Sequence, residues 1–188
     1  MDEDDTRADT ERVSEAIETV GVDRLPDAVV DAWARAGLDT GAPTWPDEES
    51  RFRVRPRAED ADARADALAA VLDASPRRPD SLFVSLEVGR RTDLTGRPRF
   101  ELETLSGHPE VTVADDHTAG TVPLTGEAFD AVATLAEDVA YLVVRDADGL
   151  ALAEWRGETV RFAVPETRLS SVTESLDAAT ADRVERLD

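Results

Sequence analysis

The chain has 188 residues, no cysteine, and 42 Asp and Glu against 21 basic residues, for a net charge of -21. Every basic residue is arginine, because the sequence contains no lysine. The missing cysteine excludes disulfides, thiolate chemistry and cysteine-ligated metal, and the missing lysine excludes a P-loop phosphate grip and Schiff-base catalysis.

This length accommodates one domain with a small appendage. Residues 1–6, MDEDDT, read as a disordered acidic start. Val13, Ala16, Ile17 and Val20 then recur at helical spacing up to Gly21. Pro26 opens a second helix with the stripe Val29, Trp33 and Ala36, and Gly37 closes it. Residues 7–38 therefore form an N-terminal helical pair. Residues 39–50, rich in Pro, Gly and acid, are a linker loop to an α+β domain over 51–188.

Within that domain, RFRVR alternates as a half-buried strand does, with Phe52 and Val54 inward and Arg51, Arg53 and Arg55 on the other side. A helix over about 58–74 follows, burying Ala61, Ala65, Leu68, Ala69 and Leu72. SLFVSLEV, RFELETL and EVTVAD are three strand candidates. After the extended TVPL, Thr125 caps a helix carrying Phe129, Val132 and Leu135. VAYLVVR, LALAEW and TVRFAV are strands joined by turns at Asp148-Gly149 and Arg156-Gly157. A closing helix starts near 166, with Leu169, Val172, Leu176 and Ala179 on one face.

The expected fold is α+β: a mainly antiparallel sheet of six to eight strands, with packed helices and the N-terminal helical pair. Its element order reads β-α-β-β-β twice, a repetition of pattern without matching residues. That order resembles one domain of the sliding clamps of DNA replication. Clamp helices that face DNA are basic, whereas AEDADARADALAAVLDA and GEAFDAVATLAED are acidic on their exposed faces.

No G-x-S-x-G, H-E-x-x-H, G-x-G-x-x-G or EF-hand loop occurs. The two histidines, His108 and His117, stand nine residues apart. On an extended segment that is roughly 25–30 Å, too far to share a metal. Asp115 and His117 form a local group able to supply two metal ligands or a carboxylate-oriented imidazole; the competing reading of ADDHTAG is a polar turn. Glu101 and Glu103 would share one strand face about 7 Å apart, with a solvated face as the favoured reading.

The arginines are unevenly spread: residues 51–99 hold 11 Arg against 8 acids, while the flanking segments are strongly acidic. Arg51, Arg53, Arg55, Arg77, Arg78, Arg90 and Arg91 are candidate anion-binding residues, and internal pairing with carboxylates is the preferred account of them. Nucleic acid is a disfavoured partner because the surrounding charge repels a polyanion. Trp45, in a proline-flanked loop, is either a partner anchor or, preferably, a staple of the helical pair onto the sheet.

The composition resembles that of cytoplasmic proteins from salt-loving archaea, whose surfaces carry carboxylates in place of lysine. The acidic start lacks the base-then-apolar order of a signal peptide, and no apolar run approaches the ~18 residues of a membrane span. The expectation is a cytoplasmic, non-catalytic interaction or regulatory module without a cofactor, working with a protein partner and not with a membrane. Two alternatives stand beside it: polyanion binding through residues 51–99, and a small metal-dependent hydrolase.

Overall fold

The structure, a computed structural model, describes residues 42–56, 61–87, 94–113 and 118–187. The expected acidic start and helical pair lie outside the described residues, as do Arg90, Arg91, Asp115 and His117.

The elements run β1 (Ser50–Val54), α1 (Ala61–Ala74), β2 (Pro79–Leu86), α2 (Arg97–Ser106), β3 (Val111–Val113), β4 (Thr118–Pro123) and α3 (Gly126–Thr134). They continue with β5 (Val139–Asp146), β6 (Ala151–Arg156), β7 (Thr159–Val164), a 3-10 turn (Glu166–Arg168), α4 (Leu169–Ser175), α5 (Ala178–Ala181) and β8 (Val184–Leu187). The eight strands form one sheet, ordered β3-β4-β2-β5-β6-β7-β1-β8, with every neighbouring pair antiparallel. The expected α+β class with a mainly antiparallel sheet is therefore the fold observed. Among the described residues no helix is long and apolar enough to cross a membrane.

The meander β5–β6–β7 follows from its turns. Gly149 and Gly157 take φ of 77° and 54°, values that favour glycine, and each closes a hairpin. The meander delivers β7 to the side of β1, aligning Phe52 opposite Phe162 with ring centroids 5.6 Å apart. The last strand, β8, then covers the other edge of β1. Thr125 caps α3 as its sequence suggested, its side chain accepting a hydrogen bond from the Ala128 amide.

Alternation along the strands divides the sheet into two faces. Phe52, Val54, Leu82, Val84, Leu142, Val144, Trp155, Val160 and Phe162 build the main core with Leu68 and Val71 of α1, Leu102 and Leu105 of α2, Val132 of α3 and Val172 of α4. Phe83, Ala119, Tyr141, Val143 and Ala151 form a second buried cluster on the opposite face, and Trp45 packs against it.

Two expectations are corrected. RFELETL is not a strand but most of α2: Pro98 sits in the first turn, and Leu102 and Leu105, three apart, are both buried. Alternation of Phe100, Glu101, Leu102 and Glu103 imitated a strand, while the helical spacing is the one the core uses. With that change the first run of elements is β-α-β-α-β, so it no longer shares the order of the second. The closing helix is also interrupted. Leu176 has an extended ψ of 155°, Asp177 caps the short α5, and the chain ends in β8 instead of continuing one helical face.

Candidate functional site

Among the described residues, the strand residues that face away from the main core concentrate arginine. Arg51 and Arg53 on β1, Arg161 on β7, Arg156 on β6 and Arg145 on β5 all fall on this face by register. The strand carboxylates beside them are Glu185 on β8 and Glu154 on β6. Five arginines against two glutamates make one sheet face cationic within a chain of charge -21.

A single cross-strand row runs Glu185, Arg53, Arg161, Glu154, Val143, Phe83 and Thr121. Arg53 and Arg161 stand directly opposite each other, which for like charges is unfavourable. Each guanidinium turns outward to its own carboxylate. Arg53 donates to Glu185 at 2.6 and 2.9 Å, and Arg161 to Glu154 at 3.4 Å. Glu154 is buried, so its pairing with Arg161 compensates a charge taken out of water.

Tyr141, two residues from Val143 on β5, adds a third group beside Glu154. Burial, then the Glu154 charge and a hydrogen bond to Glu154, push its phenol well above the usual range, so it stays a neutral donor to that carboxylate. The Arg53 guanidinium holds the exposed Glu185 carboxyl below its ordinary value through a hydrogen bond and its charge.

The other predicted arginines separate. Arg77 is enclosed: it donates to Glu49 at 2.9 and 3.3 Å, to Asp146 at 2.6 Å, and to the carbonyls of Ala151 and Leu150 at 2.9 and 3.4 Å. Asp146 in turn accepts from the amides of Asp148 and Leu150. Burial raises the Asp146 carboxyl, but the hydrogen bonds from Arg77 and those amides outweigh it and hold it below its ordinary value. This node clips the loop before β1 to the β5–β6 hairpin. Arg78, the next residue, is exposed, and Arg55 is exposed beyond the end of β1.

Glu101 and Glu103 do not share a face. On α2 they point apart, with side chains 10% and 64% exposed, and pair with Arg97 at 3.3 Å and Arg99 at 3.0 Å. An acid–base pair across one strand face is thus replaced by two i,i+4 ion pairs on a helix. Those spacings, with Pro98 after Gly96, are the sequence signals for the helix. Among the described residues no three His, Asp or Glu side chains converge to hold a metal ion. His108 lies in the turn after α2, its amide donating to the Leu105 carbonyl at 3.2 Å.

Phe100 does not face the core. It stands on the outer side of α2, 61% exposed, the one large hydrophobic side chain exposed among the described residues. Trp45 is half-buried against the second apolar cluster, and the Thr44 carbonyl beside it accepts from the Ala151 amide at 2.7 Å.

No protein-family profile, curated protein or solved structure matches the chain.

Proposed function

We propose that the protein is a non-catalytic interaction module that docks a protein partner on the outer side of α2, with Phe100 as the anchor. The observation that carries this reading is the exposure of Phe100 between two helical ion pairs. An aromatic ring rimmed by arginine is the composition of an interface centre: bulk apolar area to be desolvated, with charged groups around it that fix orientation. Burying a phenylalanine contributes about 1.5–3 kcal/mol, enough to dominate a small docking surface. The carboxylate partners of Arg53, Arg77, Arg97, Arg99 and Arg161 support an internal role for these cations over capture of a polyanion. The surplus of acid, without lysine, supports work in a salt-rich cytoplasm, where screening removes most of the self-repulsion.

The comparison that tests this is between the natural chain and Phe100→Ser, both immobilised and exposed to a salt-matched cell extract. Because Phe100 is already in water, the variant keeps its Tm within about 1 °C. A protein retained by the natural chain and lost from the variant is the expected result. Identical retention by both would remove α2 as the docking surface.

A further inference from the structure

The charge along α2 changes sign at Phe100. Arg97 and Arg99 precede the ring and Glu101 and Glu103 follow it, so the helix is basic in its first half and acidic in its second. Leu102 and Leu105 fix the inner side of the helix in the core, while Arg97, Arg99 and Glu103 are exposed beside the exposed ring. Along the axis, Arg97 and Glu103 stand about 4.5 Å to either side of Phe100.

This order selects among partners. A polyanion drawn to the first half of α2 is repelled by the second, and a polycation meets the reverse. A partner that satisfies both halves carries the same two blocks running the other way. A second α2 laid antiparallel does so by symmetry: a two-fold axis beside Phe100 sets the basic half of each helix against the acidic half of the other. It also brings two phenyl rings together, and aromatic pairs gain beyond their buried area. The two other longer helices lack this property. α1 carries Asp62, Asp66 and Asp73 against Arg64, and α3 carries Glu127 and Asp130 with no base, so either one laid on its own copy opposes like charges.

We propose that the partner docked by α2 is a second copy of this chain, in an isologous dimer centred on Phe100 against Phe100. The proposal rests on the reading of Phe100 as a docking anchor and adds what it anchors to. In the dimer Arg99 of one copy lies on the same flank as Glu103 of the second copy, and reciprocally. The contact is small, one helix face from each copy, so dimer and monomer exchange. Salt favours the dimer, because two chains of charge -21 repel each other and screening relieves that repulsion while leaving the burial of the rings intact.

Sedimentation equilibrium of the full chain tests this between roughly 10 μM and 1 mM, in about 1 M potassium chloride. The mean mass of the natural chain should rise from monomer toward dimer, and fall back when the salt is lowered to about 0.1 M. Phe100→Ser should stay monomeric throughout. Two charge reversals on the exposed side then test the antiparallel register. Arg99→Glu makes both members of the cross pair acidic and Glu103→Arg makes both basic, so each variant repels its own copy, whereas an equal mixture restores both attractions. The mixture should associate roughly tenfold more tightly than either variant alone.

A natural chain that stays monomeric at the highest concentration overturns the inference. If its capture of a protein from extract is then still lost in Phe100→Ser, the docking reading survives with a foreign partner; if no such difference exists, both readings fall. A dimer that persists in Phe100→Ser, or a mixture no tighter than its components, places the contact on another face or in another register and overturns the proposal as well.

Discussion

Arg77 shows how one side chain can tie distant segments together. Its guanidinium reaches Glu49 before β1, Asp146 at the end of β5 and two carbonyls of the β5–β6 hairpin. With an 18% exposed cation and carboxylates at 11% and 9%, removing the arginine strands two mostly buried charges. Arg77→Ala is expected to cost about 3 kcal/mol, read from the urea midpoint. The acid limb follows from Asp146. Its carboxyl lies below 3.8 in the folded chain, so the unfolded state binds the proton first. The stabilisation is complete above that unfolded value and is lost as the pH falls through the lower, folded one. Asp146→Asn should therefore be less stable at neutral pH and lose less of its stability between about pH 5 and pH 2 than the natural protein.

Among the elements, the strand expected in EVTVAD is present as β3, whereas the one expected in RFELETL is the helix α2. β3 has three residues and pairs at the sheet edge with β4. At Gly120 of β4 the partner backbone passes so close that a Cβ would overlap the Glu110 carbonyl and the Val111 Cα. Backbone cannot swing aside as a side chain can, so Gly120→Ala should push β3 away. The expected cost is about 1–3 kcal/mol, with faster amide exchange over Val111–Val113 and little change in β5–β7. If exchange there stays slow, the contact is softer than its geometry implies. α2 illustrates a different difficulty. Arg99–Glu103 alternate between charged and apolar and so satisfy a strand pattern, while Pro98, the two i,i+4 ion pairs and the packing of Leu102 and Leu105 into the core favour the helix.

For the whole molecule the dominant variable is salt. A net charge of -21 repels itself over a Debye length of about 10 Å at 0.1 M salt, and that length falls to about 3 Å at 1 M. The ion pairs of Arg53, Arg77, Arg97, Arg99, Arg161 and Arg186 weaken over the same range, those at the surface most. Exposed pairs contribute little each, so relief of the net repulsion wins. Tm should rise as potassium chloride increases from about 0.1 to 1 M. A fall in Tm would mean that specific attraction, not repulsion, governs this surface.

Periodicity alone was enough to place β1, β2, α1, α3 and the β5–β6–β7 meander, because each has a one-sided apolar pattern or a turn glycine that few alternatives satisfy. Local chemistry likewise announced Thr125 as a cap and Arg51 and Arg53 as residues of one face. What no local pattern contains is the meeting of segments far apart in the chain. β8 is a short strand, half of it charged, that exists by pairing with β1, 130 to 136 residues away. The row of Arg53, Arg161, Glu154 and Glu185 arises the same way, from register between strands that the sequence keeps apart. Side-chain spacing determines which residues share a face of one element; which elements then lie side by side is decided by burying those faces together.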